Sequence, residues 1–309
     1  MSESILSAPH FHNEEAAYAF VEKRIWPRGP ICPHCGGVER NRKMQGKSTR
    51  IGTYKCYDCR KPFTVKIGTI FESSHIPLRL WLQAIFLIAS SKKGISSNQL
   101  HRTLGVTLKS AWFMSHRIRE AMRQDSPASF GTGGGSVEVD ETYIGTDRRR
   151  ASGHRGGHHK RKVLSLIDRN SGRARSMVVE RVDIRSLLPL LSKNIHPSAR
   201  VVTDDASWYR SLSLDFASHD AVNHSAYEYV RPSDRRVHTN TVEGFFSIFK
   251  RGMKGVYQHC GKQHLHRYLA EFDFRYSERA KLGVNDEQRS EKLLQGVKGK
   301  RLTYQTTAR

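Results

Sequence analysis

The chain has 309 residues, enough for about two domains with cores of their own. It carries 52 Lys+Arg against 29 Asp+Glu, a formal net charge of +23. A surplus that large calls for a polyanionic partner, because each cation set on a phosphate releases a condensed counterion. The apolar stretch around residues 81–89 is too short to span a bilayer, so no membrane partner is expected. Residues 1–12 lack the charged and apolar segments of a secretory signal. Five cysteines, an odd number, make no disulfide framework and point to a reducing compartment, the cytoplasm.

The first region, residues 1–72, holds Cys32-Pro-His-Cys35 and Cys56-Tyr-Asp-Cys59, with residues 36–55 between them. Two CxxC pairs at that interval predict a four-cysteine zinc ribbon, each pair on a tight knuckle and the four thiolates closing a tetrahedron around one structural Zn²⁺. A redox CxxC comes singly and fits less well. His34 is a spare donor, and Cys260 has no partner in sequence. Arg40, Arg42 and Lys43, with Lys47 and Arg50, lie between the knuckles, either as a phosphate-facing surface or as a solvated basic loop.

Residues 73–125 read as helical. Leu78, Trp81, Leu82, Ile85 and Ala89 recur at helical spacing after Pro77. Ser96 to Gln99 fits a capping box opening a short helix through Leu104; Gly105 breaks it, and Thr107 caps a longer helix to about Arg123. This helix-turn-helix-like pattern would place Lys109, Ser110, His116 and Arg117 towards DNA, with Ala111, Ile118 and Met122 inward. Residues 126–136, with Ser126-Pro127 and the Gly131 to Ser136 stretch, have linker composition.

The third region, 137–284, opens with Val137 and Val139 on one face of a strand and Glu138 and Asp140 on the other. Strand-like runs at 163–167 and 176–179, a helix over 184–193, a strand at 200–203 and late helices near 239–251 and 264–276 describe an α/β domain with a mixed sheet. The stretch 285–309 reads as a loosely held basic tail.

Within this basic chain three carboxylates stand apart: Asp140 closing the first strand, Asp204 after a later one, and Glu243 opening a helix whose buried stripe is Val242, Phe245, Phe246 and Phe249. Lys250 and Asn240 share an adjacent face with Glu243. Such a set suits Mg²⁺ or Mn²⁺, which take oxygen ligands, and two-metal phosphoryl chemistry. Taken singly, each has a bland reading: a helix cap for Asp204, a turn for Asp140, a first-turn anion for Glu243.

The motifs together resemble bacterial insertion-sequence transposases that carry an N-terminal zinc ribbon and a DDE catalytic domain, relatives of the eukaryotic Merlin transposons. The likeness runs through Trp26 to Gly29, Cys32 to Gly36, Val137 to Gly145, Val201 to Asp204, His238 to Glu243, Lys250 to Gly252 and His264 to Tyr276. It implies a ribonuclease-H-like fold, with Asp140, Asp204 and Glu243 as Mg²⁺ or Mn²⁺ ligands and Lys250 as the associated lysine. It also implies nicking at terminal inverted repeats, transfer of the freed 3′ hydroxyls into target double-stranded DNA, and a homodimer or higher assembly on DNA near the bacterial nucleoid. Some relatives place Asn or His at the third position, so Asn240 competes with Glu243; Asp205 competes with Asp204. Other readings are a ribonuclease-H-like nuclease without strand transfer, and a zinc-ribbon DNA-binding regulator with an inactive catalytic domain.

Overall fold

The computed structural model describes residues 4–124, 128–145 and 160–303. Ser126 and Pro127 of the expected linker and residues 304–309 of the expected tail lie outside them. Two compact units are built from interleaved segments: one from residues 1–91, 95–123 and 284–309, the other from 92–94 and 124–283.

In the first unit, helix α1 (Glu14–Ile25) starts at Asn13, whose side chain accepts the Ala16 amide. The ribbon follows as a three-stranded antiparallel sheet of β1 (Asn41–Lys43), β2 (Tyr54–Cys56) and β3 (Pro62–Phe63). Its small core is aromatic, with the Trp26 ring edge-on to Tyr54 and Phe63 at 5.6 and 5.7 Å. Helix α2 (Leu78–Ser90) begins after Pro77, and the Glu14 carboxylate accepts the Leu78 and Arg79 amides at 2.6 and 3.1 Å, satisfying donors that a helix start leaves unpaired. The expected helix pair is present. Ser96 caps α3 (Ser97–Leu104), Gly105 closes it at φ +66°, and Thr107 caps α4 (Leu108–Met122).

Two expectations fail here. His116 and Arg117, assigned to a DNA-facing surface, are 0% and 4% exposed. Arg117 donates to the carbonyls of Ile70, Glu72 and Leu302, tying α4 to chain segments far away in sequence. The second half of α4, from Met114 to Met122, is buried all round, which its polar residues conceal in sequence. Nor are residues 285–303 a loose tail. Asn285 caps α8 (Asp286–Gln295) with a reciprocal capping box, and Leu293, Leu294 and Val297 are buried. Beyond the helix, Val297 accepts the Ile70 amide and Gly299 donates to Gly68. Three apolar anchors in a polar stretch are enough to hold it.

The second unit is a five-stranded mixed sheet with order β6-β5-β4-β7-β8. Strands β4 (Ser136–Ile144), β5 (Arg161–Asp168) and β6 (Ala174–Val179) run antiparallel, and β7 (Arg200–Asp204) and β8 (Ser218–Val222) lie parallel to β4. This is the ribbon order of a ribonuclease-H-like fold, with β8 as a strand the sequence reading missed. One face, with Val137, Val139, Leu164 and Leu166, packs on α5 (Ile184–Asn194) through Leu187 and Leu191. The other, with Ile144, Val163 and Ile167, packs on α6 (Asn240–Gly252) and α7 (Leu265–Ser277) through Val242, Phe245, Phe249, Leu269 and Phe272.

The Gly131 to Ser136 stretch is part of this unit. Phe130 is 4% exposed in the core, and Arg200 donates to the Gly135 carbonyl. Gly131 sits at φ +71°, where an added Cβ would come within 2.4 Å of Ala199, so its glycine serves close packing and not linker freedom.

Candidate active site and metal centre

The four cysteine sulfurs of the ribbon lie within 4.8 Å of one another, the convergent His/Cys/Asp/Glu set among the described residues. Cys32–Cys59 and Cys35–Cys56 are each 3.6 Å apart between sulfurs. A tetrahedron with Zn–S near 2.3 Å places its sulfurs about 3.8 Å apart, so the donor set fits structural zinc. The His34 ring instead contacts the Pro62 carbonyl at 3.3 Å. Cys260 belongs to the other unit and donates to the Gly261 carbonyl.

In the second unit the three carboxylates come from three elements. Asp140 lies in the middle of β4, not at its end, because the strand continues to Ile144 along a face that buries Thr142 and Ile144. Asp204 is the last residue of β7. The parallel register ends with Glu138 beside Val202, each two residues before Asp140 and Asp204 on its own strand. Glu243 stands in the first turn of α6.

Their charges meet. Burial, then the neighbouring carboxylates Glu141 and Asp204, and more weakly Glu243, push the Asp140 carboxyl up to about 8. Burial also raises Asp204 above the ordinary carboxylate range, partly offset by the Ala206 amide. Asp205 is exposed, and Asp204 is the aspartate that crowds Asp140. Glu243 contributes to that crowding as its weakest part, and Asn240, which carries no charge, stands on the same helix. Lys250 is exposed on α6, two turns and about 10 Å along the axis from Glu243.

Sequence reasoning missed the groups that hold these carboxylates. The Thr239 hydroxyl donates to Glu243 Oε1 at 3.0 Å, and the His224 Nε2 lies 3.0 Å from that hydroxyl and 3.3 Å from the same carboxylate. On the opposite face of β4, the buried Tyr209 hydroxyl donates to Glu141, whose carboxyl burial pushes up to about 7. His224 and Tyr209 carry no local signal, since each acts on a carboxylate distant in sequence; Thr239, four residues before Glu243 at a helix start, could have been read as its orienting hydroxyl. Of the residues expected to meet DNA, Arg40, Arg42, Lys43, Lys109 and Asn240 are exposed. Arg40 lies 3.6 Å from Asp58 and Lys43 lies 3.8 Å from Glu22.

Among the described residues no helix is long and apolar enough to cross a membrane. Residues 133–277 match the family of ISXO2-like transposase domains, and residues 12–62 match the transposase zinc-ribbon domain. A protein of the transposable element ISH50 in Halobacterium salinarum is 28% identical over 280 residues, covering 86% of this chain and 91% of the relative. A transposase-like protein of Haemophilus influenzae is 26% identical over 102 residues, 33% of this chain and 79% of its own. Among solved structures, a chain of the simian T-cell lymphotropic virus intasome in complex with the PP2A regulatory subunit B56 gamma is 14% identical with TM-score 0.28, covering 56% of this chain and 63% of that one. A chain of the Mos1 strand transfer complex is 14% identical with TM-score 0.21, covering 64% and 75%. Both are distant. With its two domains matched in order and a relative aligned over most of its length, the chain belongs to the insertion-sequence transposases that join an N-terminal zinc ribbon to an ISXO2-like transposase domain.

Proposed function

We propose that the chain is an active DDE transposase: it binds the terminal inverted repeats of its element, nicks the DNA ends and transfers the 3′-hydroxyl strands into target double-stranded DNA. The observation that carries this is the mutual influence of Asp140 and Asp204, with Glu243 of a third element adding to it more weakly, in a chain of net charge +23. Asp140 and Asp204 are partly withdrawn from water while Glu243 stays exposed, and bringing like charges together out of water is costly unless a cation is meant to join them. Their oxygen-only donor set fits Mg²⁺ or Mn²⁺, held by Asp140, Asp204 and Glu243. When bound, such ions activate the attacking oxygen and neutralise the leaving one.

The protein's own groups place the substrate. Lys250, exposed on α6, meets the DNA backbone near the scissile phosphate, and Asn240 lies on the same helix face. Arg40, Arg42 and Lys43 on the ribbon and Lys109 at the start of α4 supply phosphate contacts that fix register on the element's ends. Thr239 and His224 hold the Glu243 carboxylate in place. In the joining step the 3′-hydroxyl oxygen bonds to a target phosphorus as one target P–O bond breaks, so phosphodiesters are conserved and no outside energy source is needed. Two ends require two such sites, hence at least a homodimer on DNA, acting at the nucleoid of a bacterial cytoplasm.

The test is single substitution of Asp140, Asp204 and Glu243 to Ala. Each is expected to keep binding end DNA and to lose Mn²⁺-dependent nicking by at least about a thousandfold, roughly 4 kcal/mol of barrier. Nicking that survives Asp140→Ala overturns the assignment, and nicking that survives Glu243→Ala but not Asn240→Ala moves the third role to Asn240.

A further inference from the structure

Glu138 is 0% exposed, two residues before Asp140 on the α6-facing side of β4. A buried carboxylate so close to the site invites a ligand role, yet its oxygens are already committed. Oε2 accepts the amides of Thr241 and Val242 at 3.0 and 2.9 Å, the donors that the first turn of α6 leaves without helical partners. Oε1 accepts Arg169 Nε at 2.6 Å. Arg169 stands in the turn between β5 and β6, and its other nitrogens donate to the carbonyl of His238 at 2.6 Å and to that of Arg236. The His238 ring nitrogen Nδ1 lies 3.0 Å from Arg169 and 3.5 Å from Glu138. The chain entering α6 is thus gripped from both sides by one ion pair rooted in β4 and the neighbouring hairpin.

We propose that Glu138 is a positioning residue: by clamping the first turn of α6 to β4, with Arg169 holding residues 236–238, it sets Glu243 opposite Asp140. The Val242 amide, just before Glu243, donates to Glu138, so Asp140 and Glu243 are linked through two residues of β4 and one hydrogen bond. A charged acceptor at a helix N-terminus is stronger than a neutral one, and the helix dipole adds to it. The same clamp gives the His238 to Val242 stretch a physical task apart from chemistry.

The inference rests on the reading that Asp140, Asp204 and Glu243 hold divalent metal, and the test separates the two. Mn²⁺ binding to the full zinc-loaded chain is measured by electron paramagnetic resonance for wild type, Asp140→Asn, Glu138→Gln and Arg169→Gln, with zinc content, circular dichroism and binding to end DNA as controls. The site-specific part is what Asp140→Asn removes. Glu138→Gln keeps an acceptor oxygen but loses the charge; it is expected to stay folded, keep zinc and DNA binding, and weaken site-specific Mn²⁺ about tenfold or more. Arg169→Gln, which leaves the Glu138 amide contacts in place, is expected to weaken it severalfold. Wild-type affinity, within twofold, in both variants overturns the clamp, and so does failure of both to fold, which assigns the pair to general stability. No site-specific Mn²⁺ in the wild type overturns the metal reading itself, and the clamp with it.

Discussion

Replacing Asp140 by Asn should stabilise the protein without divalent metal, and increasingly so as pH rises towards about 8. Folding moves this carboxyl from 3.8 to about 8. Between those values the folded chain keeps a proton that the unfolded chain releases, so this contribution to stability is full below about 3.8, falls steadily as pH rises from there and is gone above about 8. A shift of that size corresponds to about 6 kcal/mol at most, and relaxation with water entry reduces it to about 2–3 kcal/mol. For a unit of this size that is roughly 5–10 °C in Tm. Asn keeps the oxygen that accepts the Glu141 amide, so the hydrogen bond at 2.7 Å survives. Scanning calorimetry in zinc-containing buffer without Mg²⁺ or Mn²⁺ should give a higher Tm for the variant, with a gain that is smaller at pH 5 than at pH 8.5. Adding Mn²⁺ at a hundred times its Kd should return about 2.7 kcal/mol to the wild type and nothing to the variant. A variant that melts below wild type at pH 8.5, or by the same offset at both pH values, refutes the reasoning.

Removing zinc, or substituting Cys35 by Ser, should unfold the ribbon, since bound zinc contributes on the order of 10 kcal/mol in such modules. Metal analysis should fall from one zinc per chain, and hydrogen exchange at Tyr54 to Cys56 should become fast; retention of zinc contradicts the site. Leu293→Ala should cost about 2–5 kcal/mol in urea unfolding because Leu293 is fully buried, whereas a loose tail predicts no change. Arg117→Ala should cost about 3 kcal/mol of stability by leaving buried carbonyls without a donor. Lys109→Ala should leave stability within about 0.5 kcal/mol and lower the salt slope of DNA binding by about 1. The opposite pattern would restore Arg117 to a DNA-facing role.

The legible features were those written in short range. Two CxxC pairs, the caps at Ser96 and Thr107, and the Val242 to Phe249 stripe need only local geometry, and the structure shows each. What stayed hidden depends on partners far along the chain. Nothing near Arg117 says that Ile70, Glu72 and Leu302 await its guanidinium. Leu293, Leu294 and Val297 are too few to mark their segment as core, and β8 with His219 and Asp220 in it carries little strand pattern. Gly131 to Ser136 looked like linker because close backbone approach and flexibility ask for the same residue. At the site, the sequence offered the three acids by their elements but not His224 beside Glu243 or Tyr209 beside Glu141, contacts that form only when distant parts of the chain assemble.

Strand transfer is the step that separates a transposase from a nuclease. Purified wild-type chain, a pre-cut element end and a supercoiled target plasmid should yield covalently joined product in Mg²⁺ or Mn²⁺, and Asp140→Ala should yield none while still binding the end. Cutting of uncut ends without any joining of pre-cut ones would contradict the account and leave a nuclease in its place.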